Sequence, residues 1–361
     1  MSGQQLVEER FQDQRTRQLM YGNALGNYNL PGSGLLPLSF AGNLSTSSWV
    51  APIGGSASLA KALTAAIEAR DGRVLCNKLV NRILVEGGRA TAVVTLDGER
   101  FDARHAVVSS AHITQLAQLL GPGHLPSIFE ETLANWRSSP AGFVVQLDVR
   151  GDPKFKTPTG PQAAVMGIFG TAEGALQNLR DADEGRLPGT DRWMAAFSFT
   201  SVDASRAPDG HSVIKMFCYT PYALNGDPAN WENAREKFAD ELVEIYASAV
   251  DGYEPGSELA RTIAAPPDLQ RYNRAFIRGD FLGGEMTPNQ TGRFRPVKGW
   301  AGYRMPIAGL FQIGASAHPS GGVNGWSGRN TAKIILDDLG ISTREFMARA
   351  GEPDTLPPVS V

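Results

Sequence analysis

From Gly309 to Val323 the chain reads GLFQIGASAHPSGGV. Gly309 to Gly314 form an apolar strand that ends on a glycine, and Ala315 to Val323 form a loop carrying Ser316, His318, Ser320 and the pair Gly321-Gly322. A helix opens between Asn324 and Gly328 and continues through Thr331, Ile334, Ile335 and Leu336. A strand, a glycine turn, a loop and a helix N-terminus together present backbone N–H groups to a polar or anionic ligand. Met305 to Gly328 carry no formal charge, which suits a buried cofactor better than an exposed phosphate clamp.

Upstream, Arg271 to Arg304 hold seven basic residues (Arg271, Arg274, Arg278, Arg293, Arg295, Lys298, Arg304) against the acidic Asp280 and Glu285. Such a run is ordinarily a solvated face, the other reading being an anionic partner. Tyr303 and Arg304 either orient a ligand or belong to a surface ion pair. From Leu75 to Ala111, short β-rich runs are separated by the turn pairs Gly87-Gly88 and Asp97-Gly98, which predicts three or four antiparallel strands. The last run, Ala106 to Ser109, is apolar enough for the interior of a larger sheet. Leu59, Ala62, Leu63, Ala66 and Ile67 have helical spacing, predicting a half-buried amphipathic helix that starts at Ser56 or Ser58 and stops at Gly72. Gly142–Val149, Ala195–Phe199 and Val213–Tyr219 read as strands, and His112–Leu120 and Asn230–Val250 as helices. That middle part is a mixed α+β layer.

With 361 residues, 42% hydrophobic and 20% charged, and a net charge of −3, the chain can bury a sizeable core. This balance argues against disorder and against nucleic-acid binding carried by positive charge. Cys76 and Cys218 are the two cysteines, so neither a disulfide framework nor a Cys-rich zinc site is expected, and a reducing, cytoplasmic compartment is the default. His105, His112, His124 and His211 have no metal-site spacing, and neither G-x-S-x-G nor a P-loop occurs. The start, MSGQQLVEERF, lacks a signal-peptide pattern, and no apolar run reaches about 18 residues, leaving peripheral membrane contact open.

Gln18 to Ala60 contain no Asp, Glu, Lys or Arg, while Leu35, Leu36, Leu38, Phe40 and Trp49 are scattered among glycines, prolines, serines and asparagines. The segment reads either as a neutral interdomain loop or as one wall of a cavity for an apolar small-molecule substrate. Trp49, Trp300 and Trp326 are bulky enough to line such a cavity, or they belong to the core.

GASAHPSGGVNGWSGRNTAKIIL resembles the C-terminal flavin motif of bacterial-type phytoene dehydrogenases and of their wider family of FAD-dependent oxidoreductases, G-A-x-x-H-P-x-x-G-V. RPVKGWAGYRMPIAGLFQIG is similar to the approach to that motif, and APIGGSASLAKAL matches P-x-G-G-x-x-x-L with Pro52, Gly54, Gly55 and Leu59. VNRILVEGGRATAVVTLDGERFDARHAVVSSA resembles the strand meander of the FAD domain, and SVDASRAPDGHSVIKMFCYTPY a stretch of the substrate domain. The resemblance implies an α/β and α+β flavoprotein. It consists of the remainder of a FAD/NAD(P)-binding domain (antiparallel meander plus C-terminal strand-loop-helix) and a mixed α+β substrate domain. The segments run 1–50 (substrate cavity), 51–140 (FAD domain with meander), 141–298 (substrate domain), 299–345 (C-terminal FAD motif) and 346–361 (tail). It also implies FAD as cofactor. Gly322 and Val323 would face the flavin pyrimidine with Gly321 beside them, and Gly314, Ala315 and Ser316 would follow the ribityl chain. Val80 would lie near the adenine, and Gly54 and Gly55 would be cofactor-binding. A helix N-terminus beside the ring would favour negative charge on reduced flavin.

The family's opening unit, a strand, a G-x-G-x-x-G turn, a helix and an acidic residue, has no counterpart. Gly32-Ser33-Gly34 comes nearest, but Pro37 occupies the third glycine position. Relative to the family, the chain is therefore expected to be a partial product, one subunit of a split flavoenzyme with a Rossmann-bearing partner chain, or a relic without FAD. His318 is the candidate acid/base; alternatively, His318-Pro319 is a structural turn whose imidazole bonds a backbone carbonyl. Two functions follow. One is an FAD-dependent oxidoreductase moving hydride at a C–C bond of an apolar, isoprenoid-type substrate by desaturation, saturation or isomerisation. The other is a cofactor-free binding or scaffold subunit that partners a flavin-carrying chain.

Overall fold

The computed structural model describes residues 1–22, 33, 51–156, 165–168 and 170–349. The expected cavity wall at Leu35, Leu36, Leu38 and Phe40, and Trp49, lie outside the described residues. Two compact units form: Met1–Asn77 with Arg137–Pro288, and Lys78–Trp136 with Asn289–Val361.

The first unit is built on a five-stranded antiparallel sheet in the order Ala260–Ala264, Ala141–Arg150, His211–Thr220, Met194–Phe197, Val165–Ile168. Successive side chains of a strand point to opposite faces, and the burial follows that rule. Phe143, Val145 and Leu147, with Ile214, Met216 and Met194, form one core with the helix Trp231–Ala249. That helix buries Trp231, Phe238, Leu242 and Tyr246 at helical spacing, and Phe143 stacks on Trp231 at 5.2 Å. Ala195 and Tyr219 face the other way and join Val7 and Met20, from the helices Gly3–Arg10 and Gln14–Gly22, and Leu176 and Leu179, from the helix Ala172–Asp183. The mixed α+β layer expected from sequence is this sheet with helices on both faces.

The helix Ser56–Glu68 belongs to the same unit and corrects an expectation. Its stripe is not half-buried, because Leu59, Leu63 and Ile67 are 38%, 59% and 44% exposed and none of its residues is buried. The helical period is real, but the surface that would cover it is not supplied by the described residues. Its N-cap is Gly55 rather than a serine, and the Gly72 N–H closes the end by donating to the Ile67 carbonyl.

In the second unit the meander is three antiparallel strands, Val80–Glu86, Arg89–Thr95 and Arg100–Asp102. Gly87 and Gly88 connect the first two with φ of +57° and +77°, the geometry of a tight hairpin whose twist matches the strands. The fourth run, Val107–Ser109, is not part of this meander: it pairs in parallel with Leu310–Gln312, Val107 opposite Leu310 and Ser109 opposite Gln312. The larger sheet expected around it is, among the described residues, two strands wide, and Val108 is 43% exposed. Parallel strands are ordinarily covered on both faces. The helices Ile113–Leu120 and Ser127–Ala134 close the core through Ile113, Leu116 and Phe129 against Ile83, Ala90, Val297, Ile307 and Leu310.

Candidate functional site: a glycine loop at the head of a helix

Ligands of open parallel sheets bind beyond the carboxyl ends of the strands. In the second unit that place is held by the loop after Gln312. Gly314 turns the chain with φ +88°, a conformation that favours glycine, and a Cβ there would lie 3.1 Å from the Ser110 carbonyl oxygen, a tight contact. The Gly314 N–H donates to Ser327 Oγ at 3.2 Å, tying the turn to the helix Trp326–Asp338. Ser316 is buried and its Oγ accepts from the Ile113 N–H at 3.0 Å, at the head of another helix. The Ala315 carbonyl accepts two hydrogen bonds from Arg295, at 3.2 and 2.7 Å.

Beyond Ala317 the loop opens to solvent. Val323 is 90% exposed, Gly322 has φ +111°, and Ser320 holds φ +139°, a conformation that costs a non-glycine residue about 1–3 kcal/mol and tends to occur at functional sites. Asn324 Oδ1 accepts from the Trp326 N–H at 3.0 Å, while the N-cap residue Gly325 has no side chain to offer. The His318–Pro319 peptide is cis, and His318 is exposed, with no hydrogen bond from its ring among the described residues. The turn proposed from sequence is there, but the imidazole-to-carbonyl bond is not.

Gly314, Ala315, Ser316, His318, Gly321, Gly322 and Val323 therefore share one loop. Val80 begins the first meander strand, half-buried, beside the exposed Leu79 and Leu96. Gly54 and Gly55 lie in the other unit. There the Gly54 N–H is committed to Asp203 Oδ2 at 2.8 Å, and Arg206 joins Asp203 at 2.9 Å to the Pro52 carbonyl at 2.8 Å. A hydrogen bond from Ser205, followed by that from Gly54, holds the Asp203 carboxyl down at about 2.

For several single residues the structure selects one of the alternatives left open by sequence. Arg304 makes a half-exposed ion pair with Asp338, and the buried Tyr303 accepts from Asn330 Nδ2 at 2.9 Å, so both brace the helix. Trp300 packs edge-on against Phe129 at 5.3 Å in the core, whereas Trp326 is exposed beneath the Arg329 guanidinium. Six of the seven basic residues between Arg271 and Arg304 are exposed, as a solvated face requires, but Arg295 is fully buried. Arg295, Ser327 and Asn330 had no assigned site role from sequence. One signal for Arg295 was present, a lone charge between Phe294 and Pro296-Val297.

Does this donor set fit a flavin? A flavin offers a planar apolar ring with an electron-rich pyrimidine edge. The loop offers exposed peptide N–H groups at a helix head, whose first turn lacks intrahelical acceptors, and no acidic side chain between Met305 and Gly328. Ser109 Oγ and Gln312 Oε1, both buried at the carboxyl ends of the two parallel strands, have no hydrogen-bond partner. Polar demand at that position matches a ligand seated there. The fit covers the ring-facing half of such a site, with no phosphate cradle among the described residues. No His, Cys, Asp or Glu cluster among them could hold a metal ion, and no helix is long and apolar enough to cross a membrane.

A meander joined to parallel strands that end in a glycine loop and helix head is an arrangement that presents peptide N–H groups to a polar or anionic ligand. The chain belongs to the flavin containing amine oxidoreductase family, whose model matches residues 2–335. It is 30% identical over 333 residues to mouse (Mus musculus) pyridine nucleotide-disulfide oxidoreductase domain-containing protein 2, covering 88% of this chain and 56% of that protein. To a limonene dehydrogenase component from Castellaniella defragrans it is 27% identical over 309 residues, 80% of this chain and 55% of the other. To a neurosporene-forming phytoene desaturase of Cereibacter sphaeroides it is 25% identical over 274 residues, 76% and 51%. The phytoene dehydrogenase-like resemblance is thus borne out, and the chain spans about half the length of the curated relatives it matches. Cyclohexylamine oxidase from Brevibacterium oxydans shares the fold, with a TM-score of 0.56 at 16% identity over 94% of this chain and 67% of that one.

Proposed function

We propose that this chain is the ring-facing part of an FAD-dependent oxidoreductase that moves hydride at a C–C bond of an apolar, isoprenoid-type substrate. The observation that carries the reading is the loop from Gly314 to Gly325, rooted by three tie points and presenting its peptide groups outward at a helix head. When bound, FAD supplies the two-electron chemistry, so the protein need provide only binding, orientation and electrostatics. The N–H groups of Gly322 and Val323 would hold the pyrimidine edge, and the helix head behind them favours negative charge there. Val80, with Leu79 and Leu96, offers an apolar contact for the adenine. Loss of hydride from a saturated carbon pair leaves a proton to be removed, and His318, exposed and uncommitted, is the side chain in the loop that would take it at a ring nitrogen. The names of the limonene dehydrogenase component and the phytoene desaturase support the substrate class.

A Rossmann-bearing unit outside the described residues would clamp the phosphates. The open parallel pair at Val108 supports such a partner surface, and in the other unit the exposed stripe Leu59, Leu63, Ile67 supports a contact of its own; each equally suits the second reading, a cofactor-free subunit on a flavin-carrying chain. Anaerobic mixing of the flavin-loaded enzyme with a C–C-saturated isoprenoid separates the two. Bleaching of the flavin spectrum, with a desaturated product, is the expected result. A persistent oxidised spectrum with isoprenoids and with amines alike would leave the scaffold reading.

A further inference from the structure

Arg295 stands apart from its neighbours in the basic run: it is wholly buried, and it donates to backbone carbonyls. Nε and Nη2 reach the Ala315 carbonyl, Nη1 reaches the Gln290 carbonyl at 3.0 Å, and the guanidinium lies over the Trp136 ring at 5.8 Å. All these residues belong to the second unit. Three consecutive loop residues are thus tied to three different places, Gly314 to Ser327, Ala315 to Arg295 and Ser316 to Ile113. From His318 onward the loop makes hydrogen bonds chiefly within itself and lies open, so its course is set at its root. A planar fork that spans two carbonyls and stacks on an indole cannot be replaced by the point charge of a lysine.

We propose that Arg295 is a positioning residue, which by fixing the Ala315 carbonyl determines where the peptide N–H groups of Gly322 and Val323 point. The proposal rests on the loop being flavin-facing, but the clamp itself is measurable without flavin. Hydrogen–deuterium exchange is compared in the full flavin-free chain for wild type, Arg295→Lys and Arg295→Met, over peptides covering 314–328 and 80–102. Loop exchange faster by about tenfold or more in both variants, with the meander unchanged, is expected. FAD titrated under conditions in which wild type binds it should bind Arg295→Lys at least about tenfold more weakly. Unchanged loop exchange overturns the clamp, and so does equal acceleration in loop and meander, which would make Arg295 a general core residue. If Arg295→Met does not fold, the lysine variant, which retains the charge, decides. A wild-type chain that binds no FAD, alone or with a Rossmann-bearing half, sinks the flavin reading while the exchange result still judges the clamp.

Discussion

Replacing Gly314 by alanine should destabilise the second unit well beyond an ordinary glycine substitution. Two effects add. An L-residue at φ +88° carries about 1–2 kcal/mol of backbone strain. The new Cβ would also lie 3.1 Å from the carbonyl oxygen of Ser110, just past the strand Val107–Ser109, tight enough that loop or strand end must give, and such overpacking costs about 1–3 kcal/mol. Gly87→Ala is the control: its φ is +57°, nothing lies within 4 Å of a Cβ there, and it bears the strain alone. Alanine also restricts the unfolded chain, by about 0.4–1 kcal/mol, equally at both sites, so that contribution cancels in the difference. Urea unfolding of both variants, compared at unchanged slope, should place Gly314→Ala about 1–3 kcal/mol below Gly87→Ala. Equal losses to within about 0.5 kcal/mol would refute the close approach of loop and strand on which the site geometry depends.

His318→Ala in the loaded enzyme should retain flavin, because the ring supports nothing among the described residues, and should lose about 100-fold in turnover; a smaller loss would remove its proton-transfer role. The Asp203 carboxyl should titrate near 2 by carbon NMR. Because its folded value lies below the unfolded one, the hold on Gly54 is intact above about pH 4 and disappears as pH falls through that midpoint, and an ordinary midpoint near 4 would break the link. Leu63→Asp, on the exposed stripe, should shift folding stability by no more than about 0.5 kcal/mol while abolishing association with a Rossmann-bearing half in sedimentation. Undiminished association would release that helix from the partner surface.

Local pattern was sufficient wherever the physics is local. The turn pair Gly87-Gly88 fixed a hairpin, and local pattern placed strands over Gly142–Val149 and Val213–Tyr219 and a helix over Asn230–Val250, which the structure extends or trims to Ala141–Arg150, His211–Thr220 and Trp231–Ala249. What failed depended on partners distant in sequence. The stripe at Leu59, Leu63 and Ile67 has a helical period, but period does not say what covers it. Ala106 to Ser109 read as the last of three or four strands and apolar enough for a larger sheet, but nothing within that run reveals that its partner is Leu310–Gln312, some two hundred residues away, and parallel. At the site, the glycines and the helix head were visible because positive φ and orphan N–H groups leave a composition signature. The role of Arg295 was not, since counting charge along a segment cannot separate one buried guanidinium from six solvated ones.

In the proposed function the loop at Gly322-Val323 holds the flavin ring. Valine at position 322 would carry a branched Cβ at φ +111° and withdraw the peptide N–H groups from the ring edge, losing about 1–3 kcal/mol per unmade bond. The deciding measurement is the visible flavin spectrum after dialysis, for wild type and Gly322→Val, each alone and with a Rossmann-bearing half. Weak or no retention by the chain alone, stoichiometric retention by the wild-type pair, and loss of flavin from the Gly322→Val pair at unchanged association are the results predicted. Full retention by the Gly322→Val pair would contradict the account.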